Sequence, residues 1–312
     1  MNPLGYEVLL YYWFTTIEDP EGFADEHREL CTRLGLRGRI LVAREGLNGT
    51  VSGTAEACAE YRLQVENDAR FIGIEWKIDP VEDHVFKKLF VRVRDEIITL
   101  GIPTGPRTGT HLSPSEWREM LDDPDVVLVD GRNAYESELG AFRGALRPPV
   151  QNFREFPDWI EAHRDQLADK KILTYCTGGI RCEKLSAWML DAGFENVFQL
   201  HGGIVNYAHD PATQGEDFEG VNVVFDERVV ASAGPRSTIT TTCRECGVVS
   251  ANYVNCANVE CNLRMIQCPD CEKKLGRSCS PECRIAPRRR QKGKKWHESR
   301  ANTNTHSDPS AQ

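Results

Sequence analysis

Eight of the chain's twelve cysteines lie between Cys243 and Cys283 as four close pairs: Cys243 and Cys246, Cys256 and Cys261, Cys268 and Cys271, Cys279 and Cys283. A stretch of about forty residues with so few apolar side chains cannot build a core of its own and needs staples. Four thiolates fill one tetrahedral zinc site, so eight suit two closed structural ions, and metal binding is then inseparable from folding. An iron–sulfur cluster would draw on the same residue type. The pairs could be combined in sequence or interleaved, with the first and third sharing one ion.

Close pairing of this kind is metal-site usage in a reducing compartment rather than a secreted disulfide framework. No run of about 18 apolar residues occurs, and the start, MNPLGYEVLLYYWF, lacks the pattern of a signal peptide. A cytoplasmic protein without a membrane contact is expected. The net charge of −9 is unevenly spread. Residues 1–242 carry 25 basic and 40 acidic side chains, net −15, whereas residues 243–300 carry 13 and 6, net +7. The C-terminal module is therefore basic, which suits a nucleic-acid partner.

The first hundred residues alternate as β-α-β-β-α-β. Apolar Glu7–Thr16 reads as a strand and Glu18–Leu34 as a helix. Arg39–Ala43 and Gly49–Ser52 read as a hairpin, and a helix capped by Thr54 runs to about Asp68. Strands follow around Ile74–Ile78 and Phe86–Val93. This order predicts a ferredoxin-like (acylphosphatase-like) α+β domain over residues 1–100. Residues 101–112, dense in Gly, Pro and Thr, read as a linker. Residues 113–230 alternate helices (Ser113–Leu121, Trp159–Leu167, Glu183–Ala192) with strands (Val126–Asp130, Lys171–Tyr175, Val197–Leu200), predicting an α/β domain with a central parallel sheet. Residues 231–242 read as a second linker, 243–287 as the cysteine module, and 288–312 as a basic tail with almost nothing to bury, disordered when unbound.

The segment YCTGGIRCEK, Tyr175–Lys184, falls between a strand and a helix, where open α/β sheets place their binding sites. Gly178 and Gly179 permit positive φ, so that backbone amides turn inward around the Cys176 sulfur. The following helix directs its positive end at the same point and Arg181 adds charge. All three effects favour a thiolate, which is the nucleophilic form of cysteine. A buried structural cysteine is the alternative. Cys182 is either a resolving thiol or a residue packed beneath the loop.

CTGGIR, comprising Cys176, Thr177, Gly178, Gly179, Ile180 and Arg181, resembles the active-site loop of rhodanese domains. VLVDGRNAYESELGAFRGA (Val127–Ala145) resembles the rhodanese segment whose strand ends in an Asp and Arg pair, here Asp130 and Arg132. Gly131 departs from that pattern, where a β-branched residue is expected. Together with AREGLNGTVSG (Ala43–Gly53), NFREFP (Asn152–Pro157) and NYVNCANVECNLRMIQCPDC (Asn252–Cys271), these segments resemble the oxygen-dependent tRNA uridine hydroxylases.

The resemblance implies a ferredoxin-like domain, a rhodanese domain and a cysteine-rich tail. It also implies hydroxylation of the wobble uridine of tRNA to 5-hydroxyuridine, with molecular oxygen as co-substrate, the anticodon region as partner and Cys176 as the active-site cysteine. No flavin or NAD glycine fingerprint is present. The loop alone would equally suit a sulfurtransferase carrying a Cys176 persulfide, and a metal-dependent RNA-binding scaffold is a third class. Strand FKKLFVRVR, if it alternates, sets Phe86, Lys88, Phe90, Arg92 and Arg94 on one face, a pattern that holds single-stranded RNA or merely a solvated edge. The turn Glu45–Gly49 and the run Arg288–Lys295 are open in the same way, to RNA or to ordinary surface.

Overall fold

The computed structural model describes residues 4–290; the chain divides into two compact units, Met1–Thr238 and Ile239–Gln312. The first begins with a sheet of five strands: β1 (Tyr6–Phe14), β2 (Arg37–Ala43), β3 (Gly46–Thr54), β4 (Lys77–Val81) and β5 (Leu89–Val93). Their order is β4-β1-β3-β2-β5, the ferredoxin-like arrangement extended by β5, which runs parallel to β2. Helices α1 (Pro20–Arg33) and α2 (Ala55–Glu66) cover one face. Asp19 caps α1 by accepting from the Gly22 amide, and Thr54 caps α2 by accepting from Ala57, satisfying amides that a helix start leaves orphaned.

Alternation decides which residues lie under the helices. Leu9, Tyr11, Ile40, Val42, Leu47, Val51 and Val91 form the core there. Val8, Leu10 and Tyr12, paired in register with Ser52, Thr50 and Asn48, point to the other face. That second face is where the chemistry lies.

The second half of this unit is a parallel sheet of β6 (Thr110–Leu112), β7 (Val126–Asp130), β9 (Lys171–Tyr175) and β10 (Val197–Leu200), in the order β6-β10-β9-β7; a short β8 (Gly140–Phe142) lies outside it. Helices α3 (Pro114–Leu121), α4 (Ala134–Ser137), α5 (Phe156–Ala162), α6 (Arg164–Leu167), α7 (Ile180–Asp191) and α8 (Gly203–His209) alternate with the strands. The expected single helix Trp159–Leu167 is two, broken at His163. β11 (Phe218–Gly220) pairs with β8, and β12 (Asn222–Val223) with β13 (Val230–Ala231).

Residues 101–112 are not a free linker. The Gly105 amide bonds Asp191, Thr108 bonds Glu183 and Ser186, and Thr110–Leu112 is the edge strand of the parallel sheet. A Gly- and Thr-rich composition hid a segment whose polar groups bond α7 and Gln199 of β10. The ferredoxin-like and parallel-sheet halves consequently pack as one unit. Lys184 of α7, 8 % exposed, seals that packing with ion pairs to Glu45 (2.8 Å) and Glu96 (2.6 Å), which gives the Glu45–Gly49 turn a structural task.

In the second unit β14 (Tyr253–Asn255) and β15 (Arg264–Ile266) form a hairpin, followed by α9 (Pro269–Leu275) and α10 (Pro281–Ile285). The basic tail departs from expectation at its start. Arg288–Arg290 fold back on the module: the Arg289 guanidinium donates to the Gly276 carbonyl at 2.7 Å, and the Arg290 amide to the Ala257 carbonyl at 2.8 Å. Residues 291–312 lie outside the described residues. Among the described residues no helix is long and apolar enough to cross a membrane.

Candidate active site

Tyr175 ends β9, and the chain turns at Cys176 into a loop shorter than the sequence suggests, because α7 starts at Ile180 rather than Glu183. Ile180 and Arg181 are thus its first turn. Gly179 takes φ of +101° at the helix N-cap, while Gly178 does not adopt positive φ and is small for another reason. A Cβ there would stand 3.0 Å from the side chain of Leu10 on β1. The Gly179 amide donates to the Cys176 sulfur at 3.1 Å.

Cys176 is 1 % exposed. Burial raises its pKa, but the hydrogen bond from Cys182, the charge of Arg181 and the backbone amides of Arg181 and Gly179 outweigh it, bringing the thiol down to about 5. Cys182 lies beneath the loop, fully buried, and burial together with the Cys176 sulfur holds its own thiol well above the usual range, so it stays protonated and donates. Arg181, expected to add charge beside the sulfur, is itself paired. Its guanidinium grips Glu136 with two bonds of 2.7 and 2.8 Å, both side chains being buried. The carboxylate offsets part of the charge felt by the sulfur and fixes the fork beside Thr177, whose hydroxyl accepts at 3.5 Å.

The Cys176 sulfur faces a cavity of about 340 Å³, and its opposite wall is the helix-free face of the five-stranded sheet. Leu10 and Tyr12 of β1, Leu41 of β2, Asn48 and Thr50 of β3, and Lys77 and Asp79 of β4 line it, while Val224, Phe225, Asp226 and Arg228 close one side. Tyr12 spans the halves, donating to Glu183 at 3.0 Å. Glu183 also bonds His111 (2.8 Å) and Thr108 (3.1 Å); burial opposes its ionisation, yet these partners pull its pKa down. Arg228 bridges Asp79 (3.0 Å) and Asp226 (2.7 Å). A cavity of this size, mostly apolar with a few fixed polar groups, suits one planar heterocycle.

Asp130 and Arg132 are wholly buried and do not line the cavity. They bond each other (2.6 Å), and Asp130 accepts from the Tyr175 hydroxyl at 2.7 Å, bracing the strand end that carries Cys176. Gly131 has a physical cause: a Cβ would lie 3.0 Å from the Tyr175 carbonyl oxygen and 3.2 Å from the Thr174 hydroxyl. A β-branched residue would push β7 from the end of β9 here.

The proposed RNA face is partly corrected. Phe86 is buried at 5 % exposure against Val8 and Val85, because β5 begins only at Leu89. Lys88, Phe90, Arg92 and Arg94 are exposed. Arg92 lies 5.0 Å over the Phe90 ring, and Arg39, Phe90, Arg92 and Arg94 line a shallow groove. Arg39 and Leu41 also line the cavity, so basic groove and cavity share a wall. Tyr12, Lys77, Glu136, Glu183, Phe225 and Arg228 were not legible as site residues. For Lys77 and Asp79 the alternation against Trp76 and Ile78 was available, but it reads as an ordinary solvated face.

In the second unit the eight cysteines gather as two fours, Cys243, Cys246, Cys268 and Cys271, and Cys256, Cys261, Cys279 and Cys283, with sulfurs within 4.8 Å of one another. The arrangement is interleaved. Separations of 3.7 Å (Cys246 to Cys268) and 3.6 Å (Cys261 to Cys279) match the edge of a tetrahedron with metal–sulfur bonds of about 2.3 Å, roughly 3.8 Å. Both sets can hold a metal ion.

A family model of an acylphosphatase-like domain (UPF0176) matches residues 6–97, one of a rhodanese-like domain residues 113–210, and one of a rhodanase C-terminal segment residues 219–284. The chain is 52% identical over 287 residues to a tRNA uridine(34) hydroxylase of Listeria welshimeri, covering 90% of each chain. It is 49% identical over 290 residues to a tRNA uridine(34) hydroxylase of Bacillus mycoides, covering 91% of each.

Proposed function

Since the chain belongs to the tRNA uridine(34) hydroxylase family, we propose that it converts the wobble uridine of tRNA to 5-hydroxyuridine with molecular oxygen, on the Cys176 thiolate. The observation that carries this reading is the position of that sulfur, ionised and facing a cavity sized for one base and walled by a second domain. A sulfurtransferase needs only the loop; the closed wall built from β1, β3 and β4 fits a substrate that must be held flat.

Addition of the thiolate at C6 of uracil would make C5 electron-rich enough to meet oxygen. Incorporating one oxygen atom while the other leaves as water consumes two electrons and two protons, which an external two-electron reductant must supply. Arg181, Gly179 and Cys182 keep the sulfur ionised, and Asp130 and Arg132 hold its strand in place. The anticodon loop would reach the cavity along the groove of Arg39, Phe90, Arg92 and Arg94, with Lys88 on its rim, phosphates meeting the guanidiniums and a base stacking on Phe90. The two cysteine fours hold structural zinc, and reduced thiolates of this kind fit a cytoplasmic protein.

The test is mass spectrometry of nucleosides from unmodified tRNA incubated with the protein under oxygen-18 gas. Labelled 5-hydroxyuridine with wild type, and none with Cys176→Ser at unchanged tRNA affinity, is expected. Retained activity in Cys176→Ser removes the sulfur from the mechanism. Thiocyanate release from thiosulfate and cyanide, without hydroxylation, replaces the reading with sulfur transfer.

A further inference from the structure

Lys77 is a buried charged group of the cavity that has no ion-pair partner among the described residues. It is 6 % exposed, on β4, and pairs in register with Leu10, whose side chain meets Gly178 of the catalytic loop. Its ammonium lies 5.2 Å over the ring of Tyr12, the residue whose hydroxyl reaches Glu183 at the start of α7. Among the described residues no carboxylate stands within ion-pair distance of it and no hydrogen bond satisfies it. The other buried or half-buried charges of the cavity are paired: Arg181 with Glu136, Asp79 with Arg228 and His209, and Asp226 with Arg228.

Holding a largely buried ammonium against an aromatic ring with no ion-pair partner is costly, and a charge so perturbed in a cleft is a candidate to meet a ligand. Burial draws its pKa down, while the fields of Glu75, Cys176 and Glu183 draw it up. Arg39, Arg181 and Arg228 line the same cavity from β2, α7 and the 224–228 segment.

We propose that Lys77 is a catalytic residue supplied by the ferredoxin-like domain, its ammonium receiving the C4 carbonyl oxygen of the uracil as Cys176 adds to C6. This rests on the reading of Cys176 as the nucleophile. C4 is the carbonyl conjugated to the C5–C6 double bond. As the sulfur lone pair forms the S–C6 bond, the π pair of C5–C6 shifts toward O4, where charge develops. Lys77 donates a hydrogen bond to that oxygen and passes it a proton if the enol forms; no electrons enter or leave, and expulsion of the sulfur returns the proton. An oriented cation in a dry site acts where charge appears in the transition state. Sulfur and cation thus come from different domains, and neither domain holds the reaction centre alone.

Lys77→Met keeps the length of the side chain and removes a buried charge, so it should fold at least as well as wild type. Single-turnover hydroxylation of unmodified tRNA is compared for wild type, Lys77→Met and Lys77→Arg, beside tRNA affinity and the pH profile of Cys176 alkylation by iodoacetamide. The expected result for Lys77→Met is a rate loss of about 100-fold or more, the range for one lost oxyanion donor. Its tRNA affinity should stay within a few-fold and its alkylation midpoint should move upward, with Lys77→Arg recovering part of both rate and midpoint. A Lys77→Met rate within about threefold of wild type, or an unmoved midpoint, overturns the proposal. A wild-type protein that makes no labelled 5-hydroxyuridine overturns the function itself, whatever the variants do.

Discussion

Replacing Glu136 by Gln separates the structural from the electrostatic role of the Arg181 pair. Both side chains are buried, Glu136 wholly and Arg181 to 6 % exposure, and the two bonds of 2.7 and 2.8 Å leave no room for water to take the place of the carboxylate. Removing one partner of such a pair costs about 3–5 kcal/mol, because the remaining charge is stranded. The amide oxygen of Gln can still accept one of the two bonds, which places the loss near the lower figure. For a unit of this size about 3 kcal/mol corresponds to roughly 6–12 °C in thermal midpoint. The same change has the opposite effect on the sulfur: with the carboxylate gone, the guanidinium acts on Cys176 alone and its pKa falls further below about 5. Thermal denaturation by circular dichroism reads the first effect and the pH dependence of Cys176 alkylation the second. In the double variant Glu136→Gln with Arg181→Met, most of the lost stability should return, since neither member of the pair then carries a charge. A Glu136→Gln protein within about 2 °C of wild type, or an alkylation midpoint that rises, would refute the reasoning.

Two further outcomes follow from the same geometry. Alkylation of Cys176 should be flat from about pH 6 to 8 and decline only as pH falls through about 5. Because the folded pKa lies below the unfolded value of about 8.5, the thiolate's contribution to stability is full above that value and is lost as pH falls toward 5; a kinetic midpoint above 8 contradicts the thiolate. Metal analysis should give two zinc ions per chain in a colourless protein, and chelation should unfold the cysteine module while the Met1–Thr238 unit keeps its thermal transition. A brown preparation replaces zinc with an iron–sulfur centre.

Three of the four strands of the parallel sheet were legible, because β7 is a continuous apolar run and β9 and β10 are apolar-rich segments between helical patterns, whereas β6 was hidden in the Gly- and Thr-rich stretch; the cradle was legible because CTGGIR is a compact local pattern. Where local pattern ended, so did legibility. The partner of Arg181 is Glu136, far upstream in the chain, and no spacing rule links them. The start of α7 was placed too late because Ile180 and Arg181, read as loop, are helical once Gly179 takes its positive φ. Lys77 was invisible for a different reason: alternation separates two faces of a strand, but it does not distinguish a face turned to water from one turned to another domain. Phe86 was misassigned because the chain turns inward at Val85 and Phe86 before pairing begins at Leu89.

The interleaving of the two cysteine fours has a consequence for assembly. One set spans Cys243–Cys271 and the other Cys256–Cys283, so the middle of each loop carries ligands of the other. Ligation of the first ion shortens the path that the second must close, and a shorter closure costs less entropy. Loading should therefore be cooperative: during metal limitation half-filled chains should be scarce, and the module should be either doubly loaded and folded or empty and unfolded.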